Sequence, residues 1–361
     1  MNVRITHQLP PTPNNPRNSE GAFLRGKKGE ILFAYSRYTG ESNHDHASCD
    51  IALITSFDEG ETWSEPRIIA PASFFGVANV MSVSALEQQN GDLAFYFLIK
   101  ENDFTSTLGR TFSSDGEQFT CQRCQCDFKP GYYVVNNDRF VRQKSGRILV
   151  PAAYYSAEHN KSHTITKVIY PSCATLFYSD DDGASFQGVD WIQEFGRQGY
   201  QDNGLEEPGI IEREDGSLFY WMRTNYGCQF ESVSDGDIQS FTAPRPGHFS
   251  SPRSPMQIKE YDGVTYAIYN PIPSYNERPV LPGTWGRTPF VLRKGTATRI
   301  FAKDFGPLNT IEDDESRGYC YPALFKTEDG HLLLAYCRGD EADGNTLCRL
   351  GIAEIEIDSI E

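Results

Sequence analysis

The chain has 361 residues and a formal net charge of −16, from 49 acidic and 33 basic side chains. This balance argues against nucleic acid as a partner, because nucleic-acid-binding surfaces carry an excess of lysine and arginine. No apolar run approaches the roughly 20 residues of a membrane span, and the first residues contain no apolar segment of signal-peptide length. We therefore expect no membrane partner and a cytoplasmic location, with secretion left open for a chain from which a signal has been removed.

A turn with a glycine, followed by an apolar and aromatic strand, recurs six times along the chain. The six glycines are Gly29, Gly91, Gly146, Gly216, Gly263 and Gly330. Glycine supplies the positive φ that a tight hairpin turn needs, and the mean spacing is about 60 residues. This period predicts an all-β, six-bladed β-propeller with four antiparallel strands per blade. We expect one domain over residues 1–361, closed by pairing of VRITHQL with LCRLGIAEIEI.

A second motif, S-x-D-x-G-x-T-W, occupies Ser56–Trp63 and returns in altered form as SDDDGASF at Ser179–Phe186. A version one residue shorter lies at Ser113–Phe119, and a degenerate one lies near Ser232. These segments are Asp-boxes, in which the aspartate side chain caps its own turn and the final aromatic packs under a neighbouring strand. We expect a structural role for them and no part in catalysis.

Cys121, Cys124 and Cys126 form a C-x-x-C-x-C group that resembles half of a zinc site. No second cluster with matching spacing follows, so the pattern favours reduced thiols over a metal site. We expect neither a metal nor another cofactor.

Arginines recur seven or eight residues after three of the repeat glycines, at the ends of the predicted strands, as Arg37, Arg223 and Arg338. Equivalent positions in a ring of blades point towards a shared opening, and a guanidinium group is suited to a carboxylate. Surface arginines at strand ends are an equally good interpretation of any one of them.

Four segments carry a family pattern. They are Arg37–Asp50 before SFDEGETW, Glu207–Glu212 before EDGSLFYWMR, Gly286–Phe290, and Tyr319–Leu324 before EDGHLLLAY. In this order they resemble the A-R-Y, aspartate and Asp-box segment, the E-P-x-V-x-E block, the R-x-P-L strand and the Y-S-x-L segment of the sialidase (neuraminidase) superfamily. The resemblance covers essentially the whole chain, and it implies an exo-acting glycoside hydrolase that removes a terminal sugar from a glycan.

The resemblance also implies roles for individual residues. Tyr321 corresponds to the nucleophile, Glu207 to the glutamate that activates it, and Asp45 to the acid/base on its loop, with Tyr319 and Glu206 as neighbouring alternatives. The arginines that correspond to carboxylate-binding or loop-ordering residues are Arg37, Arg223 and Arg287. A tyrosine nucleophile needs such a base because a phenol has a pKa near 10, and sialidases are an exception to the use of two carboxylates.

The chain departs from the family pattern at two places. Glu20 occupies the position of the first carboxylate-binding arginine, which reverses the charge there, and Arg17 or Arg25 would have to replace it. The aspartate expected in the second repeat is missing, and the polar residues there are Asn79, Ser82 and Ser84. Glu20 is therefore a candidate substrate-binding residue, and the sugar and its linkage stay open.

Three alternatives to a sialidase follow from these departures. One is a propeller glycosidase or lyase that works with carboxylates such as Glu20, Asp45 and Glu207. The second is a catalytically silent sugar-binding propeller, and the third is a protein-interaction scaffold, since a fold does not fix a function. The sequence does not predict the oligomeric state.

Overall fold

The computed structural model describes residues 1–159, 165–194, 204–272, 280–296 and 305–361. The chain is all-β, with 53% of its residues in strands, and its small sheets have a propeller-like arrangement. Two short 3-10 helices, Ala72–Phe75 and Ile357–Ser359, are the helices within these ranges. None of the helices found there is long and apolar enough to cross a membrane.

The first strand, β1 (Val3–Leu9), belongs to the last sheet of the chain. The next sheet has eight strands, in the order β2-β3-β4-β6-β7-β8-β9 with β5 attached to β4. A single parallel residue pair, Cys49 with Asn79, joins β4 to β6. The strands are β2 (Asn18–Arg25), β3 (Ile31–Tyr38), β4 (Cys49–Ser56), β5 (Arg67–Ala70), β6 (Asn79–Glu87), β7 (Leu93–Asn102), β8 (Thr105–Ser113) and β9 (Thr120–Arg123).

A six-stranded sheet follows in the order β10-β15-β14-β13-β11, with β12 paired to β13. Its strands are β10 (Gln125–Asp127), β11 (Tyr132–Val134), β12 (Val141–Arg142), β13 (Ile148–His159), β14 (Ile165–Ser179) and β15 (Ser185–Gly188). The long connection between the third and fourth repeat glycines contributes β13 and β14 to this sheet.

Three four-stranded sheets complete the ring. The first contains β16 (Glu206–Glu212), β17 (Leu218–Arg223), β18 (Cys228–Ser234) and β19 (Arg245–Ser250). The second contains β20 (Gln257–Tyr261), β21 (Val264–Tyr269), β22 (Phe290–Thr296) and β23 (Asn309–Glu312). The third contains β24 (Cys320–Lys326), β25 (His331–Cys337), β26 (Leu350–Glu356) and β1.

The central strands are buried on both faces because each sheet packs between two others. In β25, Leu332 and Leu334 belong to the core shared with Tyr266. Leu333 points the other way, into the core shared with Phe33. This alternation follows from the two-residue period of a strand, and it explains the continuous apolar runs that follow the repeat glycines.

The six repeat glycines all have positive φ, between 77° and 93°, as predicted. Each lies in the turn that leads into the second strand of a hairpin: β3, β7, β13, β17, β21 or β25. Glycine is favoured there because an added Cβ would strain this left-handed conformation.

The predicted closure of the ring is confirmed. β1 pairs with β26 in antiparallel register, from Val3 opposite Ile355 to Leu9 opposite Leu350. This pairing covers the outer edge of the last sheet with the first strand of the chain.

The Asp-boxes cap their own turns, as predicted. Asp58 Oδ1 accepts hydrogen bonds from Ser56 Oγ at 2.8 Å and from the Thr62 amide at 2.9 Å, and Thr62 Oγ1 donates to Asp58 Oδ2. Trp63 packs against the core that contains Phe33. The bonding pattern is repeated around Asp181 in the six-stranded sheet.

All nine cysteines, including Cys121, Cys124 and Cys126, are free of disulfide bonds. Over the described ranges, no group of three or more histidine, cysteine, aspartate or glutamate side chains is placed to hold a metal ion.

We predict that Asp58→Ala lowers the free energy of unfolding by about 1 kcal/mol, because the turn loses its hydrogen-bond acceptor. Urea denaturation at pH 7 measures this change. Asp58→Asn is the matched control, because it keeps one acceptor oxygen, and we expect it to lose about half as much. An equal loss in both variants would show that the charge of Asp58, and not the turn, is what matters.

Candidate active site

One backbone irregularity recurs in the first strand of four hairpins. In each case three residue steps on the first strand lie opposite two steps on the second, which is a β-bulge of one extra residue. The four residues that begin these bulges all have positive φ: Glu20 (55°), Ser82 (62°), Glu207 (39°) and Tyr321 (56°). Positive φ is uncommon outside glycine and often marks a functional site.

These four bulged residues line one cavity of about 390 Å³. The first strands β2, β6, β16 and β24 lie around the centre of the ring, where β2 contacts both β6 and β24. The bulges therefore turn four side chains from different sheets towards the same space. The other lining residues are Asp45, Met81, Leu98, Lys100, Tyr132, Tyr133, Val134, Asn136, Tyr155, Glu206, Arg223, Arg253, Trp285, Arg287 and Leu347.

A buried asparagine lies at the centre of the ring and links two of the first strands. Asn137 Nδ2 donates to the carbonyl oxygen of Gly21 at 2.9 Å and to that of Tyr321 at 3.3 Å. The next residue, Asp138, also has positive φ, and its carboxylate accepts hydrogen bonds from Lys259 Nζ at 2.6 Å and the Leu324 amide at 3.2 Å. This buried network fixes the backbone from which Glu20 and Tyr321 project.

Tyr321 and Glu207 form a hydrogen-bonded pair. Tyr321 Oη donates to Glu207 Oε1 at 2.8 Å, and Arg223 donates to Glu207 Oε2. Burial disfavours the Glu207 carboxylate, but Arg223 outweighs it and holds the pKa of Glu207 below its ordinary value. Burial and the charge of Glu207 raise the pKa of Tyr321 well above that of a free phenol. The phenol is thus protonated at rest and in contact with an ionised acceptor.

The neighbouring carboxylate supports this pair from behind. Arg253 donates to Glu206 through Nε at 2.9 Å and through Nη2 at 2.6 Å. Glu206 Oε2 lies 3.5 Å from Arg223 Nε. Of the two adjacent glutamates, Glu207 contacts Tyr321, and Glu206 holds Arg223 between two negative charges.

Arg287 lies beside the tyrosine without a carboxylate partner in the described part of the chain. Its Nη1 donates to Cys320 Sγ at 3.0 Å, and its guanidinium lies 5.7 Å from the ring centre of Tyr321 and 4.9 Å from that of Trp285. Arg287 is 5% exposed. It is therefore the one lining arginine that the described carboxylates leave without an ion pair.

Asp45 lies at the cavity, with 58% of its side chain exposed, and accepts a hydrogen bond from Arg17 Nη1 at 2.6 Å. Arg17 is buried and stacks on the Tyr38 ring at 4.4 Å. The surrounding protein atoms disfavour the carboxylate even though much of the side chain is exposed, but Arg17 outweighs this effect and lowers the pKa of Asp45 to about 2. Lys100 Nζ donates to the Asp45 carbonyl oxygen at 2.6 Å and anchors the loop.

Glu20 is 5% exposed and lies near two other carboxylates of the cavity, Asp45 and Glu207. Its Oε2 is 3.5 Å from Arg17 Nη2 and has no hydrogen-bond partner within the described part of the chain. Burial, with added repulsion from Asp45 and Glu207, raises the pKa of Glu20 to about 7 against the attraction of Arg17. A carboxyl group that titrates near neutral pH therefore occupies the place expected for an arginine.

Arg37 does not line the cavity, contrary to the expected substrate contact. The residue of β3 that corresponds to Arg223 is Ser36, because Ser36 pairs with Ser19 as Arg223 pairs with Glu206. Arg37 is one residue further along the strand, and side chains alternate between faces. Arg338 is also outside the cavity and binds Glu312 at 2.8 Å. The arginine that contacts the loop of Asp45 is Arg17, which donates to Asp45 Oδ1 and to the carbonyl oxygen of Asn43.

Lys100, Arg253 and Trp285 line the cavity and were not predicted from the sequence. Lys100 follows its repeat glycine, Gly91, by nine residues, which is outside the spacing of seven or eight residues that marked the arginines. Arg253 and Trp285 lie outside the strands, and no periodic signal marks them.

A propeller-like ring with Asp-box turns and a polar cavity at its inner strands defines the structural class of this chain. Residues 34–334 match the BNR repeat-like domain, and the chain belongs to that family. Among functionally curated proteins, none matches the sequence.

Several solved structures share the fold at low identity. A protein of unknown function from Dyadobacter fermentans has 17% identity and a TM-score of 0.69, over 98% of this chain and 99% of that chain. A variant of the NanB sialidase from Streptococcus pneumoniae has 13% identity and a TM-score of 0.69, over 99% and 71%. The intramolecular trans-sialidase from Ruminococcus gnavus has 15% identity and a TM-score of 0.65, over 95% of both chains. At these identities the likeness shows the fold.

We predict that Glu20 destabilises the protein as the pH rises from 5 to 8. Its pKa of about 7 in the folded state lies above the unfolded value of 4.5, so the folded state binds more protons in this range. The stability advantage of Glu20→Gln over the wild type should therefore grow by about 2 kcal/mol between pH 5 and pH 8. Urea denaturation at the two pH values measures this growth.

Asp58→Asn is the control. Partial desolvation disfavours the Asp58 carboxylate, but its hydrogen bonds with Thr62 and Ser56 outweigh this and hold its pKa below the ordinary value, so its effect on stability should be the same at pH 5 and pH 8. If the free energies of unfolding of Glu20→Gln and the wild type differ by the same amount at pH 5 and pH 8, Glu20 does not titrate in this range.

Proposed function

We propose that the chain is a glycoside hydrolase of the sialidase type, which removes a terminal sugar from a glycan through Tyr321. The observation that carries this proposal is the 2.8 Å hydrogen bond from Tyr321 Oη to Glu207 Oε1 inside a cavity that also contains Asp45. Family membership and the sialidase structures that share the fold support a carbohydrate substrate.

In the first step, Glu207 accepts the phenol proton while Tyr321 Oη attacks the anomeric carbon, and the glycosidic bond breaks. Arg223 keeps Glu207 ionised and ready to accept that proton. Asp45 delivers a proton to the leaving oxygen and later takes one from the water that attacks the anomeric carbon. The bond between that carbon and Tyr321 Oη then breaks, Glu207 returns its proton to the phenol, and the sugar is released with retained configuration.

Asp45 is a carboxylate in the free protein, so proton delivery needs an increase in its pKa. Its side chain is 58% exposed, and a bound glycan would cover it. Loss of water disfavours the charged form and raises the pKa of a carboxyl group. Substrate binding and proton delivery are therefore coupled at this residue.

We also infer that the ring has six blades within one domain over residues 1–361. Six hairpins carry the six repeat glycines, and a single residue pair, Cys49 with Asn79, joins the two halves of the eight-stranded sheet. Division at that pair leaves β2–β5 and β6–β9 as two blades of four strands each.

A carboxylate-based glycosidase or lyase is the second candidate. Glu20, at a pKa of about 7, holds a proton at neutral pH more readily than Asp45 does. This proton could serve the leaving group in place of the one expected from Asp45. A silent sugar-binding propeller is less well supported, because the cavity keeps the hydrogen-bonded tyrosine and glutamate together.

We predict that Tyr321→Phe lowers kcat by at least about 10²-fold on a chromogenic glycoside, because the nucleophile is lost. Tyr319→Phe is the matched control. It lies two residues earlier, is fully buried against Phe290 and Tyr336, and does not line the cavity. We expect kcat of this variant to stay within about threefold of the wild type.

Circular dichroism of both variants checks the fold, and NMR of the first-formed product checks the configuration. Activity of Tyr321→Phe equal to that of the wild type would remove the tyrosine from the mechanism. An inverted product would exclude a covalent glycosyl-tyrosine and favour the second candidate.

A further inference from the structure

Glu20 begins one of the bulges that also carry Glu207 and Tyr321, so its carboxyl group faces the same cavity as the reacting pair. It is 5% exposed, and its Oε2, 3.5 Å from Arg17 Nη2, accepts no hydrogen bond from the residues that the structure describes. An unpaired polar oxygen in a buried position is unfavourable unless a ligand satisfies it. The carboxylate form of Glu20 can only accept hydrogen bonds, so the missing partner is a donor.

Two of the four lining cations pair with carboxylates of the protein itself. Arg223 pairs with Glu207 and Glu206, and Arg253 pairs with Glu206 through two hydrogen bonds. Lys100 Nζ donates to the carbonyl oxygen of Asp45. Four lining carboxyl groups face four lining cations: Glu20, Asp45, Glu206 and Glu207 against Lys100, Arg223, Arg253 and Arg287. Arg17, behind the lining, also pairs with Asp45 and lies 3.5 Å from Glu20 Oε2.

A carboxylate on the anomeric carbon would bind poorly in this environment. Its negative charge would lie near Glu20 and Glu207, and Arg287 is the one lining arginine in the described ranges without a carboxylate partner. Like charges brought together in a partly buried cavity repel each other. A hydroxyl group, in contrast, can donate a hydrogen bond to Glu20 without adding charge.

On the basis of the proposed hydrolase activity, we propose that the sugar bound beside Tyr321 is a neutral sugar without an anomeric carboxylate, and that Glu20 selects it by accepting a hydrogen bond from a ring hydroxyl. The aromatic side chains of the lining fit the same class of ligand. Tyr132, Tyr155 and Trp285 line the cavity, and Trp285 is 46% exposed. Flat apolar surfaces of this kind can pack against the C–H face of a sugar ring.

The first test is hydrolysis by the full chain. The panel contains p-nitrophenyl α- and β-glycosides of galactose, glucose, mannose, fucose, xylose and arabinose, together with 4-methylumbelliferyl N-acetyl-α-neuraminide. We expect at least one neutral glycoside to be cleaved with kcat/KM at least about 100-fold above that of the sialoside. Glu20→Gln should lower kcat/KM for that neutral sugar by about 10- to 100-fold, because its amide no longer offers a charged acceptor.

Glu231→Gln is the control for this variant. Glu231 is buried on β18, pairs with Arg245 and lies outside the cavity. We expect kcat/KM of Glu231→Gln to match the wild type for every substrate. Preferred cleavage of the sialoside by the wild type would overturn the proposed role of Glu20 and leave the hydrolase proposal intact.

Binding separates the two proposals when no glycoside is cleaved. Isothermal titration calorimetry with the wild type and Glu20→Gln would use the same neutral monosaccharides and 2,3-didehydro-2-deoxy-N-acetylneuraminic acid. Binding of a neutral sugar that Glu20→Gln weakens at least about tenfold would support the selection by Glu20, although the hydrolase proposal would fall. Tighter binding of the acidic analogue, or no binding of any sugar, would overturn the proposed selection of a neutral sugar by Glu20.

Discussion

One extra residue in the first strand of a hairpin is the constraint on which the site depends. A regular strand on the inside of a ring directs alternate side chains into the neighbouring sheets, where the core of this protein is apolar. The bulge breaks that alternation once and releases one side chain towards the centre. In this chain the released residues are Glu20, Ser82, Glu207 and Tyr321. The fold thus supplies equivalent positions, and the chemistry depends on which residue occupies each of them.

The charges of the cavity form a connected series. Arg253, Glu206, Arg223 and Glu207 alternate in sign and end at the hydroxyl of Tyr321. Replacement of Glu206 or Arg223 by a neutral residue would leave a buried charge without its partner. Such an unpaired charge destabilises a protein more than replacement of the whole ion pair by apolar residues does. The series therefore fixes the protonation state of Glu207 as well as its position. The pair of Arg17 and Asp45 is separate and serves the exposed loop.

The sequence was sufficient for the features that arise from local geometry. The repeat glycines and Asp-boxes are defined by the φ and hydrogen bonds of a few consecutive residues, and both were predicted correctly. Tyr321, Glu207 and Asp45 were found because each lies in a short family motif, and the structure brings all three to one cavity. Their roles in catalysis are a proposal.

Other parts of the site depend on contacts that no local pattern encodes. Arg17 reaches Asp45 because β2 and the loop after β3 are brought together by the sheet, and Arg253 reaches Glu206 across the ends of two sheets. Arg37 was expected in the site from its spacing after the repeat glycine and from the A-R-Y segment, but it lies one residue beyond the position that corresponds to Arg223. In a strand, a shift of one residue moves a side chain to the opposite face.

The pairing of β1 with β26 joins the first strand of the described chain to the last. During synthesis, β1 leaves the ribosome long before β26 does, and at about 5–20 residues per second it waits for tens of seconds without its partner. An unpaired strand in this interval can join other chains through its free edge. The composition of β1 suits the delay: VRITHQL alternates apolar with polar residues, and most of its side chains remain partly accessible even in the closed ring. The strand that seals the ring is thus one that can stay in water until the other sheets have formed.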